Sequence, residues 1–61
     1  MYNFRDVLTE DEIKILQKYN IPLECERNKE ALSEIKYALI IEEISEDTER
    51  ICDKLTDNLK I

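Results

Sequence analysis

The chain contains no glycine, no histidine and no tryptophan, and its one proline is Pro22. Both the Walker-type and the dinucleotide-type phosphate loops need glycine, because they bring backbone closer to phosphate than a side chain permits. A glycine-free chain therefore excludes them. The same shortage removes the residues from which tight hairpin turns are made, so an all-β fold is not expected. Without histidine, hydrolytic triads and most general-base arrangements lose their proton carrier near neutral pH. Cys25 and Cys52 have no histidine to join them in a zinc site within one chain. An Asp-x-Asp-x-Asp-Gly calcium loop is missing too. These absences predict a protein that is not an enzyme and carries neither cofactor nor metal.

Long apolar runs are also lacking. The longest aliphatic stretch, Ala38 to Ile41, is far shorter than a membrane span, and no charged-then-apolar leader opens the chain. The expected location is the cytoplasm, with both thiols reduced and no membrane partner. The nine basic residues are scattered from Arg5 to Lys60, and the net charge is −6. With no basic stripe to follow a phosphate backbone, direct nucleic-acid binding is not expected.

What is present is a short chain of 61 residues that is 43% hydrophobic and 39% charged, enough of each to bury one face and wet the other. A core of this size supplies only about 3–5 kcal/mol of net stability unless self-association or a crosslink adds to it. Residues 1–8 show no helical or alternating period and read as an N-terminal strap whose Tyr2 and Phe4 must pack somewhere. Thr9-Glu10-Asp11-Glu12 is a capping box, with Leu8 placed to staple onto Ile13. It starts a helix over about 10–19 with Ile13, Leu16 and Tyr19 on one face, and Asn20-Ile21-Pro22 ends it. Residues 20–28 connect, with Ile21 and Leu23 expected inside and Glu24, Glu26 and Arg27 outside.

Asn28 caps a second helix over about 29–43, apolar on more than half its circumference through Ala31, Leu32, Ile35, Ala38, Leu39, Ile40, Ile41 and Ile44. Ser45 caps a third over about 46–59, with Thr48, Ile51, Cys52, Leu55 and Leu59 inward. The fold expected is all-α, a small three-helix bundle forming a single domain over 1–61. One alternative stays open. Tyr37, Ile41, Ile44, Thr48, Ile51, Leu55 and Asn58 follow an uninterrupted heptad step, which suits a helical hairpin whose long C-terminal helix dimerises.

Two features carry the functional expectation. From Glu42 to Asp57, the acids Glu42, Glu43, Glu46, Asp47, Glu49, Asp53 and Asp57 face only Arg50 and Lys54, leaving that segment of the chain at −5. Such a field steers the approach of a basic partner. The apolar excess at Tyr37, Ile40, Ile41 and Ile44 exceeds what two short helices need to cover, and an uncovered remainder marks an interface. The expected function is a small acidic intracellular protein–protein interaction module that regulates or inhibits a larger, basic protein, in the manner of an antitoxin, a phage inhibitor or an adaptor. The partner-binding residues expected are the seven acids with Tyr37, Ile41 and Ile44. Two other uses remain: a self-assembling homodimeric helical module, and an acidic mimic of nucleic acid that blocks a nucleic-acid-binding protein.

Overall fold

The structure, a computed structural model that describes residues 1–59, is a small helical domain with a short two-stranded sheet. Lys60, the last of the scattered bases, lies outside the described residues. Helix α1 (Glu10–Lys18) begins at the capping box: Thr9 Oγ1 accepts from the Glu12 amide at 3.3 Å, and Glu12 Oε1 accepts from the Thr9 amide at 2.9 Å. It ends in a Schellman motif without glycine. Asn20 adopts the left-handed conformation at φ 59°, the Ile21 amide donates to Leu16 O and the Asn20 amide to Gln17 O. Asparagine is the residue besides glycine that tolerates this region, and the apolar follower Ile21 is buried as the motif favours.

Three helices are present as expected, and the strap adds a short sheet that the all-α expectation lacked. Tyr2–Asn3 forms strand β1, which pairs antiparallel with Glu24–Cys25, strand β2, in the register Tyr2 to Cys25 and Asn3 to Glu24. Phe4–Asp6 then makes one 3-10 turn, with Asn3 Oδ1 accepting from the Arg5 amide. The pairing gives the strap's backbone groups partners while sinking Tyr2 and Phe4, edge to face at 5.3 Å, into the core.

Helix α2 (Lys29–Glu42) is capped by Asn28, whose Oδ1 accepts from the Ala31 amide at 2.8 Å. The chain turns extended at Glu43, and Ser45 opens helix α3 (Glu46–Asp57) with a second capping box, its partner being Thr48. The long C-terminal helix is thereby ruled out. Thr48 Oγ1 serves Ser45 N at 2.9 Å and is itself buried, so the box is held in place by packing. The core gathers Tyr2, Phe4, Leu8, Ile13, Leu16, Ile21, Leu32, Ile35, Leu39, Ile51, Cys52 and Leu55 from every element except β2. Tyr2 also serves α3 directly: its hydroxyl donates to Leu55 O, a carbonyl in the last turn of the helix, at 2.8 Å.

Candidate functional surface

The inward face of α2 is the row Leu32, Ile35 and Leu39, with Ala31 and Ala38 half-buried beside it. Helical geometry then sends Tyr37, Ile40 and Ile41 to the opposite side. They are 68%, 43% and 62% exposed, and Ile44 in the corner after α2 is 77% exposed. The break at Glu43 produces this patch: it splits the heptad row, so that Thr48, Ile51 and Leu55 go inside while Tyr37, Ile41 and Ile44 stay in water.

On α3 the inward residues are Thr48, Ile51, Cys52 and Leu55, and Leu59 beyond the helix is half-buried. Glu46, Glu49, Asp53 and Asp57, at steps of three and four, form one exposed stripe. The structure gathers Glu42, Glu43, Glu46 and Asp47 around the corner that also holds Ile41 and Ile44. Asp57 stands about 16 Å farther along α3 from Glu46, by the helical rise, so Glu49, Asp53 and Asp57 lead away from the patch. Glu43 Oε2 accepts from the Tyr19 hydroxyl at 2.8 Å, which ties the corner to the end of α1. Asp47 accepts from Arg50 at 2.8 Å, a pair open to solvent on both sides.

Sequence reasoning placed Arg50 and Lys54 among the acids of α3 and saw in Glu12 only a cap. The structure turns both bases to Glu12, whose side chain is 2% exposed. Lys54 Nζ donates to its Oε1 at 2.9 Å and Arg50 Nε to its Oε2 at 3.2 Å. Burial opposes ionisation of this carboxyl. It is outweighed by the Thr9 amide, then by Lys54, Arg50 and the Thr9 hydroxyl, so the pKa falls to about 2. A carboxylate so fully bonded stays charged through the neutral range and fastens α1 to α3. No periodic signal marks it, because its partners are 38 and 42 residues away.

Other chemistry finds little to work with. Burial raises the thiol pKa of both Cys25 and Cys52, the opposite of an activated nucleophile. Among the described residues no group of three or more metal-ligating side chains comes together. An open groove of about 420 Å³ runs between the strap and α1, lined by Arg5, Leu8, Glu10, Ile13, Lys14 and Gln17. It lies apart from the patch. Among the described residues no helix is long and apolar enough to cross a membrane. No family model matches the chain, nor does any curated protein or solved structure.

Proposed function

We propose that this protein is an acidic protein–protein interaction module that regulates or inhibits a larger protein by docking the outer face of α2 and the α2–α3 corner onto it. One observation carries the reading: four large apolar side chains, Tyr37, Ile40, Ile41 and Ile44, stand exposed together although the core is filled without them. Each such side chain gains about 1.5–3 kcal/mol when fully removed from water, so the patch favours being covered. The capped corner presents Ile44 beside Glu42, Glu43, Glu46 and Asp47, combining apolar affinity with charged orientation.

The test compares the protein with its Ile41→Asp variant as bait. A partner is captured by the first, rebinds as a purified protein, and is lost with the second while thermal unfolding of the bait is unchanged. A partner that binds both equally overturns the reading. The acidic stripe Glu46, Glu49, Asp53 and Asp57 supports a second use, as a mimic of a phosphate backbone, because the two bases of α3 are drawn away to Glu12. In that case the partner survives Ile41→Asp and is lost on neutralising Asp53 and Asp57.

A further inference from the structure

The patch is too small to be a whole interface. The exposed parts of Tyr37, Ile40, Ile41 and Ile44 amount to on the order of 500 Å², the size of patch that monomers keep for function. A specific interface covers about 800 Å² on each partner. Whatever covers the patch therefore covers its surroundings too, and these are acidic. Glu30 and Glu34 precede Tyr37 and Ile41 on the same outward stripe of α2, at steps of four, three and four, and both are exposed. Glu42, Glu43, Glu46 and Asp47 close the other end. Nearby bases neutralise little of this rim: Lys36 donates to Thr56 Oγ1 at 2.9 Å, Lys54 to Glu12, and Arg50 divides its guanidinium between Glu12 and the rim acid Asp47.

Resting on the docking surface proposed above, we infer that it is specific for a helical segment of another protein whose apolar seam is bordered by lysine or arginine. A helix fits because the outward row of α2, with Tyr37 and Ile41 following Glu30 and Glu34 at steps of four, three and four, is a ridge of the kind another helix packs against, and Ile44 extends the apolar surface into the corner. A second copy of the chain fits badly. Antiparallel pairing of two α2 faces about the midpoint of Tyr37 and Ile41 carries Glu34 of each copy to the acidic α2–α3 corner of the other, and parallel pairing sets Glu30 and Glu34 against themselves. Both arrangements also bring together two chains of net charge −6. A basic-bordered helix covers the same ridge and pairs the rim.

The experiment uses three synthetic amphipathic helices, about five turns long, sharing one leucine seam and bordered by Lys/Arg, by Gln or by Glu. Each is titrated into the isotope-labelled full chain at about 0.15 M salt, with amide shifts read by residue. The Lys/Arg peptide is expected to shift the Glu30 to Asp47 region and to bind on the order of tenfold more tightly than the Glu peptide. Glu30→Gln with Glu34→Gln is expected to weaken it about two- to fivefold per charge, the weight of an exposed ion pair, and Ile41→Asp to abolish binding. If the Gln and Glu peptides reach the patch equally well, or if the chain instead pairs with itself there, the inference is overturned while the docking surface stands. If the basic peptide shifts only Glu49 to Asp57, charge alone attracts it, and both the inference and the docking surface fall.

Discussion

Glu12→Gln tests the electrostatic lock between α1 and α3. Glutamine keeps an acceptor for the Thr9 amide but removes the charge that Arg50 and Lys54 address. Lowering the carboxyl from 4.5 to about 2 corresponds to about 3 kcal/mol at full strength. The two cationic side chains are 51% and 36% exposed, so water screens the contact and about 1–2 kcal/mol is expected. Because the folded pKa lies below the unfolded one, this stability is fully present above pH 4.5 and is lost as pH falls towards 2. The variant is therefore expected to melt roughly 4–16 °C lower near neutral pH, with the gap closing between pH 4.5 and 2. Urea titration followed by circular dichroism at a series of pH values reads this directly, provided the slope is shared. A variant as stable as the parent at neutral pH, or a gap that does not narrow in acid, refutes the reasoning.

Tyr2→Phe removes the buried hydrogen bond to Leu55 O, at an expected cost of about 1–2 kcal/mol in urea unfolding. Ser45→Ala removes the acceptor for the Thr48 amide and is expected to cost about 1 kcal/mol, read as lost helicity and a lower melting temperature. Ile51→Asp buries a charge at a site with no exposure and is expected to leave the chain unfolded by circular dichroism, whereas Ile44→Asp, in the exposed corner, changes stability by no more than about 0.5 kcal/mol.

The helix starts were legible because a cap is a local device. Thr9, Asn28 and Ser45 each bond an amide three residues on, within a few residues of chain. The inward side of α3 was legible for a related reason, since period alone selects Thr48, Ile51, Cys52 and Leu55. Strand β1 was not, because two residues have no period to read, and its partner lies across the whole of α1. The choice between one C-terminal helix and two turned on Ser45, where the heptad row and the cap make opposite demands. The buried Thr48 decides for the cap, since its hydroxyl accepts from the Ser45 amide, which a continuous helix would direct to Ile41 O. Exposure of Tyr37, Ile40 and Ile41 depends on where α1 and α3 leave off, which no local pattern records.

The lock inside and the field outside are one arrangement. Arg50 and Lys54 are a turn apart on α3, and left to that helix alone Arg50 sits in reach of Glu46 and Asp53, and Lys54 of Asp57, at steps of three and four. Glu12, anchored by the Thr9 cap at the start of α1, draws both to the α1 side, and only Asp47 keeps a share of Arg50. The contact that holds two helices together thus sets the charge of the surface around the corner. A helix boundary does the same for the apolar part, since the turn at Glu43 that lets Ile51 enter the core is the turn that leaves Ile44 outside. The surface offered to a partner follows from how a glycine-free chain of this length closes its core.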